Sequence, residues 1–298
     1  LNDLREGKTS NNKYNFFFIE SNDKRNFLST KQICSIESAA KNNPFSNVNI
    51  LTIQAILGNF SFLTSYYPNL SLKKLDPIKL FDNTPMKDWW LSGVLYRSPY
   101  SIVHLADAIR LVLLWKYGGV YSDLDTITLK SFEPLLNLSS GGIGYIYENG
   151  DSLGSGVLCF KSNHSLLYYM IQKFVEKYDP KEWGASGPLL FISAMKEYCK
   201  NENIFHDLML EKKNMITTQI PKTQTTQNLI NRMFSSMFFL QDSHENGYHY
   251  QRDHTYNNKC DLVIYPERYF YPYFYRLEFE KIFKPNSTLE IHRLIDTY

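Results

Sequence analysis

Apolar residues in the first sixty positions follow two different periods. Residues 14–20 and 48–53 are nearly continuous apolar runs, which are typical of strands buried in a parallel sheet. Between them, residues 28–41 place apolar side chains on one face of a helix that ends before Pro44. Strand, helix and strand in this order predict the start of a Rossmann-like sheet.

The same pattern continues along the chain. Residues 75–81 predict a third strand or its edge, and Thr84, Pro85 and Asp88 predict a capped helix start after it. In the second half we predict strands at 145–147 and 157–160 and helices at 164–178 and 189–200. Residues 201–241 show poor periodicity and predict a variable segment. Residues 1–13 are polar and predict a mobile lead-in.

One stretch, residues 104–129, carries most of the candidate chemistry. Its first half is almost wholly apolar and predicts a buried helix, which Gly118 and Gly119 end. A short β segment follows from Val120 to Ser122, and Asp123, Leu124 and Asp125 finish it. In an extended chain the two carboxylates would point to one side, while the leucine would point back into the core.

Two carboxylates on one side repel each other unless a cation lies between them. Divalent ions with hard-ligand preference, such as Mg²⁺ or Mn²⁺, suit oxygen ligands of this kind. Asp107 and Arg110 are three residues apart on the preceding helix and share a face. Arg110 suits a phosphate or sugar contact, and Asp107 suits sugar hydroxyls. The polar residues Glu20 and Ser21 follow the first strand, at the edge where open α/β sheets bind nucleotides.

Composition excludes several classes. The chain has 298 residues, 43% of them hydrophobic, and a formal net charge of +2. A near-neutral globular protein is not built to bind nucleic acid through phosphate neutralisation. No apolar run approaches the length of a spanning helix.

Of the four cysteines, Cys159 lies in an apolar run and is expected to be a buried thiol, while Cys199 and Cys260 are expected to form a disulfide.

The central stretch resembles the sugar-binding region of retaining nucleotide-sugar glycosyltransferases with a GT-A fold. The wider chain is similar to the α1,4-galactosyltransferase and α1,4-N-acetylglucosaminyltransferase family. Besides the Asp-x-x-Arg, Gly-Gly and Asp-x-Asp elements, the segments that carry the resemblance are NFFFIESND at 15–23, ICSIESAAKNNP at 33–44, NTPMKDWW at 83–90, GSGVLCF at 154–160, EWGASGPLL at 182–190 and IYPERYFYP at 264–272.

The resemblance implies an α/β fold, with a GT-A-like Rossmann-type mixed sheet flanked by helices and a helical or irregular acceptor-side C-terminal half. Residues 14–298 would form one domain, with a nucleotide-sugar half at 14–130 and an acceptor half at 131–298. It also implies transfer of galactose or an N-acetylhexosamine from UDP-galactose or a UDP-N-acetylhexosamine, with retention. The acceptor would be a lactosylceramide-like glycolipid or another glycan, and the new linkage α1,4. A Golgi-lumenal location is implied, with a membrane anchor upstream of Leu1.

The resemblance also assigns roles to particular residues. Mn²⁺, or Mg²⁺, would be held by Asp123, Asp125 and the C-terminal His292. Catalytic roles would fall to Asp107, Arg110, Asp123 and Asp125. The resemblance also places donor or acceptor contacts at Gly156, and Arg110 and Asp123 would contact the donor. Glu20 and Ser21 are expected to contact the nucleotide because of their position after the first strand. No carboxylate suggests itself as a covalent nucleophile, so we expect the acceptor hydroxyl to attack from the face that UDP leaves.

The chain departs from the family pattern at several positions. Ser122 replaces an apolar residue, Ser155 replaces a usual Asn, and Ser186 replaces a usual Gln. Near the C-terminus, Leu294 and Ile295 stand where a Trp and an Asn are usual.

Two other functions remain open at this point. One is a phosphohydrolase of the haloacid-dehalogenase type, which also uses Asp-x-Asp after an apolar strand, but Ile127 stands where that class needs a small hydroxyl residue. The other is a sugar-binding relative without catalytic activity, which the altered C-terminus favours.

Overall fold

A computed structural model describes residues 14–56, 60–136, 141–144, 154–200 and 262–265. Its strands are β1 (Tyr14–Glu20), β2 (Ser46–Thr52), β3 (Leu70–Lys74), β4 (Gly119–Ser122), β5 (Gly141–Gly144), β6 (Val157–Phe160) and β7 (Leu262–Tyr265). Its α-helices are α1 (Thr30–Asn42), α2 (Phe60–Tyr66), α3 (Pro77–Phe81), α4 (Met86–Leu91), α5 (Ser101–Tyr117), α6 (Glu133–Leu136), α7 (Ser165–Lys177) and α8 (Pro188–Cys199).

The seven strands form one mixed sheet in the order β3-β2-β1-β4-β6-β5-β7. The first four strands in this order are parallel, and β6 then runs antiparallel to both β4 and β5. The mixed α/β sheet predicted from the sequence is therefore confirmed. Because β1 and β4 are parallel neighbours, their carboxyl ends lie at the same edge, which brings Glu20 and Ser21 towards the Asp-x-Asp segment.

Alternation along β1 supplies both faces of the sheet. Phe16 and Phe18 belong to a core formed with α1, whereas Phe17 and Ile19 belong to a larger core formed with α5, α7 and α8. A strand buried on both faces explains the continuous apolar run. Helix α1 begins at a capping box in which Ser29 and Gln32 satisfy each other's backbone N–H groups.

Two predictions about residues 75–88 are wrong. The third strand lies earlier, at Leu70–Lys74, and Pro77–Phe81 is a helix. The physical reason is local: Asp76 accepts a hydrogen bond from the backbone of Ile78, and Pro77 occupies the first turn, where its missing N–H costs nothing. Thr84 does not cap α4, because its hydroxyl donates to the carbonyl of Phe81.

In the second half, β6 and helices α7 and α8 confirm the predicted strand at 157–160 and the two predicted helices. The glycine-rich segment forms β5 at Gly141–Gly144, and the strand predicted at 145–147 lies outside the described residues. The predicted lead-in (1–13) and variable segment (201–241) lie outside them as well.

The cysteines agree with the prediction as far as they are described. Cys159 is a buried free thiol, and burial raises its pKa to about 12. Cys199 is disulfide-bonded, and its expected partner, Cys260, lies outside the described residues. Within the part of the chain that the structure describes, no helix has both the length and the apolar character needed to cross a bilayer.

Candidate active site

A two-glycine turn joins α5 to β4 and fixes the position of the site. Gly118 has φ +64° and Gly119 has φ +110°, values that L side chains rarely adopt. An ideal Cβ on Gly119 would lie 2.1 Å from the carbonyl oxygen of Asn15 in β1. The predicted glycine stop is confirmed, and it lets the chain leave a buried helix and pair with β1 at once.

Asp107 and Arg110 lie on the buried face of α5, as their spacing predicts. Only 3% of Asp107 and 5% of Arg110 is exposed to solvent. The guanidinium Nη2 lies 3.0 Å from Asp107 Oδ1, and Nη1 donates to the carbonyl oxygen of Ser155 at 2.6 Å and to its hydroxyl oxygen at 3.2 Å. The guanidinium also lies 4.5 Å from the ring centre of Tyr121. These contacts fix its orientation.

Arg110 also connects the helix to the first aspartate of the Asp-x-Asp motif. Its Nη2 lies 3.5 Å from Asp123 Oδ1, and the Tyr121 hydroxyl donates to the same oxygen. The Asp123 side chain is 36% exposed. Arg110 therefore links the buried Asp107 to a carboxylate that reaches the surface. Burial raises the pKa of Asp123, while the charge of Arg110 acts in the opposite direction.

Tyr121 was not predicted as a site residue. It stands two positions before Asp123, so the period of two that governs a strand already indicated that both side chains share a side. Within the apolar β segment, however, its ring resembles ordinary core packing. The structure shows that it does both, because the ring is buried and the hydroxyl holds Asp123.

Asp125 lies in a turn and not in the strand, which ends at Ser122. The prediction of an extended Asp-x-Asp segment is therefore wrong. The turn is built by hydroxyls: Ser122 and Thr126 lie 2.6 Å apart, and Thr126 Oγ1 donates to the carbonyl of Asp123 at 2.9 Å. Leu124 packs against the core as expected. Asp125 is exposed, and its charge helps to raise the pKa of Asp123, so the two carboxylates remain electrostatic neighbours.

Two of the three serines that depart from the family pattern, Ser155 and Ser186, contact the buried pair. Ser186 donates to Asp107 Oδ2 at 2.7 Å, and Ser155 accepts from Arg110 as described. A Cβ on Gly187 would lie 3.1 Å from Asp107 Oδ2 and 3.3 Å from Ser155 Oγ. The loop before α8 and the loop before β6 thus meet at Asp107. The sequence did not predict these contacts, because Ser186 is 79 positions from Asp107 and Ser155 is 45 positions from Arg110.

The other predicted donor contacts lie at the same sheet edge but make contacts within the protein. The Glu20 carboxylate accepts from Gln32 Nε2 at 2.7 Å and from the backbone N–H of Asn22 at 3.1 Å, and it pairs with Arg25 at 3.0 Å. Ser21 donates to the carbonyl of Ile102 at 2.8 Å, which ties β1 to the first turn of α5. The Gly156 carbonyl accepts from the backbone N–H of Asp123 at 2.8 Å.

The residues suit a divalent cation held jointly with a substrate. Among the described residues there is no group of three or more His, Cys, Asp or Glu side chains that could hold a metal. Asp123 and Asp125 nevertheless supply two hard oxygen donors at an exposed turn, and Mg²⁺-type ions commonly bind one or two carboxylates together with substrate phosphates. The predicted third ligand, His292, lies outside the described residues.

Two family models match separate parts of the chain, and both include residues of this site. The model of a glycosyltransferase sugar-binding region containing a DXD motif matches residues 29–140, which include Asp107, Arg110, Asp123 and Asp125. The model of an alpha 1,4-glycosyltransferase conserved region matches residues 159–247, which include Ser186.

Two curated relatives and one solved structure agree with these models. Lactosylceramide 4-alpha-galactosyltransferase of Homo sapiens is 34% identical over 194 residues, 62% of this chain and 52% of that protein. Alpha-1,4-N-acetylglucosaminyltransferase of Homo sapiens is 29% identical over 181 residues, 57% of this chain and 51% of that protein.

A solved structure, PaToxG glycosyltransferase, superimposes with a TM-score of 0.51 at 18% identity. The match covers 78% of this chain and 88% of that one and supports the fold.

The chain spans about half the length of the curated relatives that it matches. The first family model covers helix α5, the glycine turn and the Asp-x-Asp segment, which the structure brings together. Over residues 29–140 and 159–247, the chain is therefore similar to glycosyltransferases with a DXD-containing sugar-binding region and with an alpha 1,4-glycosyltransferase conserved region.

Proposed function

We propose that this protein is a retaining, metal-dependent glycosyltransferase. It moves galactose or an N-acetylhexosamine from UDP to the terminal sugar of a glycolipid or glycan and forms an α1,4 linkage. The observation that carries the proposal is the position of Arg110, which bridges the buried Asp107 and the surface carboxylate Asp123. The family matches and the names of the relatives agree with this chemistry.

The charge balance of the site favours a metal-bound diphosphate. Asp107, Asp123 and Asp125 together outweigh the single charge of Arg110, so the exposed end of the site attracts a cation. Asp123 and Asp125 would hold Mn²⁺ or Mg²⁺, which supplies Lewis-acid stabilisation of the departing diphosphate when bound. Arg110 is fixed by four groups before substrate arrives, so its positive charge needs no reorganisation as negative charge develops on the leaving group.

We assign Asp107 the orientation of hexose hydroxyls and not nucleophilic attack. Both of its carboxylate oxygens already have partners, Arg110 on Oδ1 and Ser186 on Oδ2. A carboxylate stabilised in this way is a weak nucleophile but a well-oriented acceptor. We therefore propose that the acceptor hydroxyl attacks from the face that UDP leaves.

The phosphohydrolase alternative would use Asp123 as a nucleophile. In this structure Asp123 Oδ1 accepts from Tyr121 and faces Arg110, and β4 is an internal strand of four residues. The side chain of Ile127 is exposed where that class needs a hydroxyl. These contacts favour transfer from a nucleotide sugar.

Calorimetric titration and a hydrolysis assay test the proposal. UDP should bind more tightly with Mn²⁺ than without it. At least one of UDP-galactose, UDP-N-acetylgalactosamine and UDP-N-acetylglucosamine should be hydrolysed slowly. The sugar of that donor should be transferred when lactosylceramide is supplied. Asp125→Asn should abolish Mn²⁺-dependent turnover and leave the melting temperature almost unchanged. The control is Asp88→Asn, an exposed aspartate on α4. Absence of UDP binding would refute the assignment, and UDP binding without turnover would favour the non-catalytic relative.

We also propose a Golgi-lumenal location. The disulfide at Cys199 supports an oxidising compartment, because cytosolic thiols stay reduced. Protease protection of the natural protein in intact microsomes tests this, and digestion without detergent would argue against it.

A further inference from the structure

Trp183 is the most exposed tryptophan among the four in the chain. Its side chain lies in the loop between α7 and α8, and the residue is 54% exposed. Trp89 is buried, and Trp90 and Trp115 are partly buried against the core. A single exposed aromatic residue needs no special explanation. The position in which the loop holds Trp183 is what distinguishes it.

The loop is anchored at the candidate active site. Ser186, three residues after Trp183, donates to Asp107 at 2.7 Å, and Gly187 packs against the same carboxylate. Within the loop, the backbone N–H groups of Gly187 and Leu189 both donate to the carbonyl of Gly184. Trp183 and Ser186 are three residues apart, so their backbones are separated by at most about 10 Å. Trp183 therefore lies within reach of a second sugar bound next to one held at Asp107.

The residues of the loop near Trp183 leave the indole accessible. Leu189 is 51% exposed, and a Cβ on Gly184 would lie 3.1 Å from Leu189 Cγ. The absence of a side chain at Gly184 therefore lets Leu189 pack against the backbone of the residue that follows Trp183. Glu182, the residue before Trp183, is also exposed. An exposed indole suits a pyranose, whose C–H face is apolar and can stack on an aromatic ring.

We propose that Trp183 binds the acceptor sugar by stacking its indole against the sugar ring. The donor sugar would lie at Asp107 and Arg110, and the acceptor would lie on the outer side of the same loop. This inference rests on the proposed function for the identity of its ligand, a terminal galactose or N-acetylhexosamine. It assigns recognition of the acceptor to a residue outside the metal and diphosphate site.

The test measures saccharide binding separately from UDP binding. Ligand-observed NMR gives Kd for lactose and for N,N′-diacetylchitobiose in the presence of UDP and Mn²⁺, and calorimetry gives Kd for UDP. Trp183→Ala should weaken binding of the recognised disaccharide about tenfold or more, and Trp183→Phe should weaken it less, because a smaller ring still stacks. The UDP affinity should stay within about twofold in both variants.

Phe45→Ala is the matched control. Phe45 is 55% exposed, nearly the same as Trp183, but it immediately precedes β2 at the opposite edge of the sheet. This variant should change neither affinity. Failure of the protein to bind either disaccharide, or unchanged saccharide binding by Trp183→Ala, would overturn the inference. An equal loss of UDP binding would also overturn it, by showing that the indole only supports the loop. Saccharide binding through Trp183 without UDP binding would instead refute the proposed function alone.

Discussion

Replacing Arg110 with Met should destabilise the protein strongly, because it leaves Asp107 charged and buried without its partner. Only 3% of Asp107 is exposed, and the guanidinium is its 3.0 Å ion-pair partner. Removing one member of a buried ion pair typically costs about 3–5 kcal/mol. The hydroxyl of Ser186 remains as a donor, which places our expectation near the lower figure, about 3 kcal/mol.

The double variant Asp107→Leu/Arg110→Met separates this charge effect from a loss of packing. With both charges removed, this position no longer holds a buried ion without its partner, so most of the lost stability should return. Asp123 also loses its contact with Arg110, but its side chain is 36% exposed and water can hydrate it. We expect the double variant to be folded and unable to turn over UDP-sugar.

Urea denaturation followed by tryptophan fluorescence measures the free energy of unfolding of each variant. Lys87→Met is the matched control, since Lys87 and Asp82 lie 2.7 Å apart with both side chains substantially exposed. An exposed pair contributes little, so this variant should be close to the unmodified protein. Equal losses in Arg110→Met and Lys87→Met, or a double variant less stable than Arg110→Met, would refute the buried-charge reasoning.

Three further predictions follow from single contacts. Gly119→Ala should lower the free energy of unfolding by more than about 4 kcal/mol, since its Cβ would lie 2.1 Å from the Asn15 carbonyl oxygen. Gly93→Ala should lower it by about 1–2 kcal/mol, because Gly93 has φ +68° but open space around it. Chemical denaturation of both variants measures the difference. Burial lowers the pKa of His104, so the unfolded chain takes up a proton first as the pH falls below about 6.5. The free energy of unfolding should therefore fall more steeply from pH 7 to pH 5 in the unmodified protein than in His104→Gln, and parallel curves would contradict this. Ser186→Ala should raise the KM for UDP-sugar more than the Kd for UDP, with Ser186→Thr closer to the unmodified protein, because the hydroxyl holds Asp107; equal changes in both constants would argue against a hexose-orienting Asp107.

Local signals predicted the site where the relevant residues are neighbours in sequence. The spacing of Asp107 and Arg110 placed them on one helix face, and the glycine pair predicted the turn into β4, as the structure shows. Local reasoning failed at residues 75–81, where apolar content indicated a strand but Asp76 and Pro77 start a helix. It also placed Asp125 on an extended strand, whereas the Ser122 and Thr126 hydroxyls stabilise a turn there.

By itself, the sequence determined the α/β order of elements, the buried helix that carries Asp107 and Arg110, and the family resemblance. These depend on apolar periodicity and short spacings, which are local properties. Only the tertiary structure decided that Ser155 and Ser186 close around the buried pair, that Tyr121 holds Asp123, and that the loop of Trp183 contacts Asp107 through Ser186. Those contacts join segments whose distance in the chain says nothing about their distance in space, so they follow from how the sheet and its helices pack.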